Sequence, residues 1–161
     1  MPAITSPPPG VFVPSPTFFL PAADGAQPAL DIDTQVKHTV FLAKSGIRGL
    51  VILGSTGEAI HLTRGERRAL VSGVRKGLED AGFKDYPIMA GVLTNGLEET
   101  LEWLADYAEA GAQWGLVLAP GYFGKAASQE NLRAWYEVVA NKSPLPILMC
   151  VTWSLRRVSG C

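Results

Sequence analysis

The sequence predicts an α/β protein built on a parallel sheet, and three observations carry that expectation. Short aliphatic runs recur with no polar alternation, as in strands covered on both faces. Between them lie segments with apolar residues at helical spacing. Glycine or proline marks most junctions between the two. Strands alternating with helices in this way imply right-handed βαβ crossovers.

The elements follow in order. Gly10-Val11-Phe12-Val13 reads as a first strand. Ile32, Val36, Val40 and Ala43 then share one helical face, and Gly46 closes that helix. Leu50-Val51-Ile52-Leu53 is the second strand. Thr63-x-x-Glu66 opens a second helix as a capping box, each side chain satisfying a free amide of the other residue. Leu70, Val71, Val74 and Leu78 form its buried stripe, which ends near Gly82. Pro87 leads the third strand. Asn95, with Glu98 three residues on, is expected to cap a third helix carrying Leu97, Leu101, Leu104 and Ala108 up to Gly111. The fourth strand, Gly115 to Ala119, stops at Pro120. Ser128 begins a fourth helix with Leu132, Trp135, Tyr136 and Val139 on its apolar side, and Pro146-Ile147-Leu148-Met149 starts a fifth strand.

That makes five strands and four helices in 161 residues. A complete (β/α)8 barrel takes about 250. Periodicity alone leaves two architectures open, a partial barrel and a complete five-stranded doubly wound sheet.

Composition narrows the class of function. A hydrophobic content of 47% with 18% charged residues is that of a globular chain. The net charge of −1, with acids and bases mixed, provides no footprint for nucleic acid or an anionic membrane. No apolar run approaches the roughly 20 residues of a membrane span. The first nine residues, rich in proline, have the character of a flexible tail and not of a signal peptide or an arginine-bearing presequence. Cys150 and Cys161 lack metal-site spacing and form no disulfide framework, so a reducing cytoplasm is the expected setting, with the mitochondrion as the alternative left open.

The junction after the second strand holds the most chemistry. In Gly54-Ser55-Thr56-Gly57-Glu58, two glycines let the backbone turn sharply around two hydroxyls. Hydroxyl and amide donors collect at the carboxyl end of a parallel strand, where such folds bind ligands. A small anion such as a carboxylate suits them. An ordinary βα turn with a glycine at each bend has the same residues.

Gly49 through Glu58 resembles the signature of the dihydrodipicolinate synthase/N-acetylneuraminate lyase family of class I aldolases. Thr17-Phe18-Phe19, Ile88-Met89-Ala90-Gly91-Val92, Ala110-Gly111-Ala112 and Leu116 to Tyr122 agree in order and spacing. The similarity runs from about Gly10 to Met149. It implies a (β/α)8 barrel, here only its amino-terminal part, over residues 10–149, with 1–9 as tail and 150–161 outside the family pattern.

The resemblance also implies site residues. Ser55 and Thr56, framed by Gly54 and Gly57, match the pair that holds the carboxylate of pyruvate or another 2-oxo acid. Thr56 further matches a hydroxyl relay for protons. Tyr122 matches a tyrosine that reaches across a subunit interface in an oligomer, although Gly121 replaces the tyrosine before it and Phe123 lies alongside. No cofactor or metal is implied.

The family's Tyr-Asn-x-Pro at the end of strand five is replaced at Cys150 and Val151, and a Schiff-base lysine on a sixth strand has no counterpart. Lys37, Lys44, Lys76, Lys84 and Lys142 are expected on helices or their ends, facing solvent. Lys125, in the loop after strand four, is a poor substitute because a carbinolamine-forming amine needs burial or a nearby cation. His38 and His61 lack a second ligand at metal spacing, and Glu58 is expected to accept a hydrogen bond near the turn. The expectation is an inactive fragment, produced by a frameshift, a retained intron or an alternative terminus. The alternatives are a non-catalytic form that pairs with full-length subunits and a small doubly wound anion-binding module.

Overall fold

The computed structural model describes residues 6–22, 28–122, 124 and 127–150. Within them the chain runs β1 (Phe12–Pro14), α1 (Ile32–Lys44), β2 (Gly49–Ile52), a single 3-10 turn (Ala59–His61) and α2 (Arg64–Asp80). It continues through β3 (Ile88–Val92), α3 (Leu97–Ala110), β4 (Trp114–Leu118), α4 (Gln129–Lys142) and β5 (Ile147–Cys150). All neighbouring strands are parallel, in the spatial order β1-β2-β3-β4-β5.

That order decides between the two architectures. A doubly wound sheet reverses its strand order at a switch point. Here each crossover moves one position in the same direction, which with right-handed connections puts every helix on one face. The five strands form an arc of a (β/α)8 barrel.

Alternation along the strands creates two apolar layers. Leu50, Ile52, Ile88, Ala90, Val92 and Val117 face the helices and join Leu70, Val74, Leu78, Leu104 and Tyr107 in the main core. Val51, Met89 and Trp114 face the other way, with Phe12, Leu116 and Leu148 packed beside them on the concave side. The register explains the split, since Leu50 pairs with Ile88 and Val51 with Met89.

Helix α2 matches its sequence. Thr63 accepts from the Glu66 amide, the Glu66 carboxylate accepts from the Thr63 amide, and Leu70, Val71, Val74 and Leu78 are buried. Helix α1 differs from expectation. Its buried line is Gln35, Thr39 and Ala43, while Ile32, Val36 and Val40 are half-buried. Ile32 and Val36 lie against Gly73 and Gly77 of α2, so the apolar stripe meets the neighbouring helix. Gln35 faces inward because polar groups of the β1 loop satisfy it, as described below.

Helix α3 also corrects the reading. Its N-cap is Gly96, with no side-chain bond, and Asn95 turns elsewhere. The buried line is Thr100, Trp103, Leu104 and Tyr107; Leu97, Leu101 and Ala108 are half-buried. Helix α4 starts at Ser128 as expected, with the serine accepting from the Asn131 amide, but only Val139 is fully buried. Residues 6–9 of the proline-rich stretch carry no helix or strand. The expectations placed on residues 1–5, Phe123, Lys125 and 151–161, Val151 and Cys161 included, lie outside the described residues.

Candidate functional site

Beyond β2 the chain folds back onto its own strand. Leu53 and Glu58 have φ of 58° and 52°, left-handed values that cost a non-glycine residue about 1 kcal/mol or more. Between them the Gly57 amide donates to the Gly54 carbonyl at 3.0 Å, and the Glu58 amide to the Ser55 carbonyl at 3.2 Å. A Cβ at Gly57 would stand 2.8 Å from the Leu53 nitrogen, so only glycine lets the turn lie this close to the strand end. On the neighbouring strand, the Leu53 carbonyl occupies the place where a Cβ of Gly91 would project.

The turn is also held from the loop after β1. Thr17, 7% exposed, donates its hydroxyl to the Gly57 carbonyl at 2.6 Å. None of these bonds uses the hydroxyls of Ser55 or Thr56, which are exposed, while Gly54 and Gly57 are buried. The four residues singled out in the sequence therefore divide the work, the glycines framing the turn and the hydroxyls facing solvent. Such a group can donate several hydrogen bonds to one carboxylate.

The loop after β4 forms a second group at the same end of the sheet. The Asn95 Oδ1 accepts from the amides of Gly121 at 3.0 Å and Tyr122 at 3.2 Å, tying the β3 and β4 loops together. Tyr122 is 82% exposed. Beside it opens a cleft of about 430 Å³, lined by Leu93, Asn95, Pro120, Tyr122, Leu132 and Cys150 among others. Ile60 is the part of the β2–α2 segment that reaches this cleft; Gly54–Gly57 are not in its lining. The structure thus presents Ser55 and Thr56 on one loop and Tyr122 on another. Near the cleft the Tyr136 hydroxyl donates to the Val117 carbonyl at 3.1 Å. Burial, and secondarily Cys150, pushes that phenol up to about 12.

The remaining candidates fall into place around these loops. Lys37, Lys44, Lys76, Lys84 and Lys142 are all exposed, and Lys76 pairs with Asp80 at 2.7 Å. Glu58 contributes its backbone geometry, and its side chain makes no capping bond to the turn that follows, unlike the acceptor role expected of it. His38 packs against Phe18 with ring centroids 5.3 Å apart. Among the described residues no three His, Cys, Asp or Glu side chains gather as a metal site, and no helix is long and apolar enough to cross a membrane. Sequence reasoning missed Thr17, Gly91 and the bridging role of Asn95. The available signal was position, since each lies at or just beyond the carboxyl end of a strand.

Comparison with known proteins supplies context for this geometry. The dihydrodipicolinate synthetase family model matches residues 23–152. An L-threo-3-deoxy-hexylosonate aldolase of Aspergillus niger is 39% identical over 142 residues, covering 88% of this chain and 41% of the relative. A Coccidioides immitis protein, provisionally named 4-hydroxy-2-oxoglutarate aldolase, mitochondrial, is 41% identical over 143 residues, covering 89% and 43%. The crystal structure of YagE, a prophage protein from E. coli K12 in complex with pyruvate, superposes with a TM-score of 0.76 at 28% identity, covering 91% and 45%. The chain spans about two fifths of the length of the curated relatives it matches.

Proposed function

The chain belongs to the dihydrodipicolinate synthetase family, and from that premise we propose that it is the amino-terminal part of a class I aldolase or synthase acting on pyruvate-type 2-oxo acids. The observation that carries this reading is the clamped Gly54–Glu58 turn, with Ser55 and Thr56 exposed at the carboxyl end of a barrel strand. In this proposal the hydroxyls and adjacent amides receive the carboxylate of the 2-oxo acid. Thr56 also passes protons to and from the substrate, and Tyr122 extends the relay from a neighbouring subunit.

The pyruvate bound in YagE and the aldolase named in Aspergillus niger support the substrate class and the carbon–carbon bond chemistry. Aldolase and dihydrodipicolinate synthase activities are both compatible with the residues present. No lysine lies on any of the five strands. These 161 residues alone are therefore proposed to bind a 2-oxo acid without forming an imine. The mitochondrial name of the Coccidioides immitis relative makes that organelle, as well as the cytoplasm, a compartment to test.

The test has two arms. Pyruvate with borohydride should leave the mass of the chain unchanged; a reduced adduct on Lys125 would give that loop a catalytic role. NMR titration with pyruvate should shift the amides of Gly54 to Glu58 first, at millimolar concentrations, because one set of carboxylate contacts leaves little surplus over the ordering cost. Shifts scattered elsewhere, with this turn silent, would sink the assignment.

A second reading is favoured by Met149, 62% exposed on the helix-facing side of β5. In it the chain is a non-catalytic form that pairs with full-length subunits. Co-purification with a full-length homologue would support it, and a chain that stays alone in the homologue's presence would exclude it.

A further inference from the structure

We propose that Thr17 is the positioning residue of the Gly54–Glu58 turn, fixing from the loop after β1 the direction in which the Ser55 and Thr56 donors face. This rests on the reading of that turn as a carboxylate site, and it concerns a residue that touches no substrate. The argument begins with burial. Ser15, Thr17 and Gln35 are 1%, 7% and 0% exposed, three buried polar side chains of the β1 loop and α1 where an apolar lining would be the simpler solution. Buried polar groups persist where they are bonded, and these are.

The Gln35 amide donates to the Ser15 hydroxyl at 3.0 Å, and its carbonyl accepts from the Phe18 amide at 3.2 Å. The Ser15 amide donates to the Val51 carbonyl at 2.9 Å, which ties the same loop to β2. The segment from Ser15 to Phe18 is thus pinned by a helix on one side and a strand on the other. Thr17 carries that rigidity across 40 residues of sequence to the Gly57 carbonyl.

Gly57 is the residue on which such a bond acts most directly. Its amide closes the turn onto Gly54, and a Cβ added to it would collide with the Leu53 nitrogen, so a rotation of the Gly57 peptide would carry Thr56 with it. Leu53 and Glu58, at left-handed φ, flank the turn and would relax if it opened. The Thr17 hydroxyl opposes that relaxation. Methyl and hydroxyl can be separated experimentally, because valine retains the shape of threonine and loses only the donor.

The experiment compares the full chain with Thr17→Val and Thr17→Ser by pyruvate titration, using amide shifts and thermal unfolding as readouts. Thr17→Val is expected to weaken pyruvate binding by about tenfold, the ratio that roughly 1.4 kcal/mol represents, and to move the Gly57 and Glu58 amide resonances before ligand is added. Thr17→Ser, which keeps the donor, should bind within about twofold of the parent; a role in packing alone would give the opposite order. Equal affinity in Thr17→Val with unshifted turn amides would overturn the proposal.

If Thr17→Val does not fold, the parent chain still decides the matter. A Thr17 hydroxyl proton protected from exchange and close to Gly57 supports the bond, and a rapidly exchanging one rejects it. A parent chain that shows no pyruvate response, with the hydroxyl protected, would overturn the carboxylate reading and with it the positioning role.

Discussion

The sheet beneath α2 and α3 and the sheet beneath α4 are built from similar aliphatic sequence, yet they are buried to different depths. Every residue of β2 and β3 is buried, whereas no residue of β5 is. Helix α2 places Leu70, Val71, Val74 and Leu78 at 1% exposure or less; α4, with Leu132, Trp135, Tyr136 and Val139 also at helical spacing, fully buries only Val139. Neighbours explain the contrast. Helix α2 lies between α1 and α3, while the principal helix contact of α4 is with α3. Burial is a property of what surrounds an apolar stripe, and the stripe alone does not confer it. The two candidate loops sit on different sides of this divide. The Gly54–Glu58 turn grows from the deeply buried strand β2, and Tyr122 projects from the loop that leads to α4.

The largest effect should come from cutting into the deep side. Leu104 is fully buried and packs against Gly115 of β4, where no side chain stands between helix and sheet. Leu104→Ala should cost about 2–5 kcal/mol in urea unfolding, the range for cavities in a well-packed core. Leu132→Ala on α4 should cost less than about 1 kcal/mol, because its side chain is already partly in water. Equal losses would erase the distinction between the two sides.

The sequence disclosed the same structure unevenly. Patterns that depend on neighbours in the chain were legible, as with the Thr63–Glu66 capping box, the α2 stripe and the turn at Gly54–Glu58. Patterns that depend on neighbours in space were not. Asn95 has the residue type and spacing of a cap, but its carbonyl oxygen binds two amides 26 and 27 positions away. Gln35 and Thr39 are polar by composition and buried by circumstance. Arg67 sits 3.5 Å above the Trp103 ring and donates to the Leu62 carbonyl, a burial that charge alone argues against. The cleft beside Tyr122 was illegible for the same reason, since its walls come from four separate segments.

An intermediate effect should come from the clasp between α2 and α3. The Asp106 carboxylate, 6% exposed, accepts from Arg64 at 2.7 and 2.9 Å and from Arg68 at 2.6 Å. The Arg64 hydrogen bond, with the Arg68 bond adding to it, holds its pKa below the ordinary carboxylate value against the opposing effect of burial. The arginines are 55% and 41% exposed, so solvent screens the pairs and the full strength of a buried bridge does not apply. Asp106→Asn should cost about 1–2 kcal/mol at neutral pH. Because the folded-state pKa is depressed, this contribution is present above the unfolded value of about 4 and is lost as pH falls below it. The stability difference between parent and variant should therefore be flat at higher pH and shrink in acid. A difference independent of pH would show that the charge is not what joins these helices.

The smallest effect belongs to α4, where one phenol links a half-exposed helix to the sheet. Tyr136 donates to the Val117 carbonyl at 3.1 Å, and burial raises its pKa to about 12. Tyr136→Phe keeps the ring and its edge-on contact with Trp135, whose centroid lies 5.0 Å away, and removes only the donor. The expected cost is about 0.5–1 kcal/mol, at the low end for a hydrogen bond because water can reach part of this side chain. The pH dependence has the opposite sign to that of Asp106. A phenol with a raised folded-state pKa contributes its stability below the unfolded value of about 10, and that contribution disappears as pH climbs through 12. Ultraviolet titration should accordingly lose one delayed tyrosine on going from the parent to Tyr136→Phe, while Tyr86 and Tyr107, whose phenols burial also raises, stay delayed in both. A delayed component of equal size in parent and variant would mean that α4 stands away from the sheet in solution, and the shallow side would then be shallower than the bond to Val117 allows.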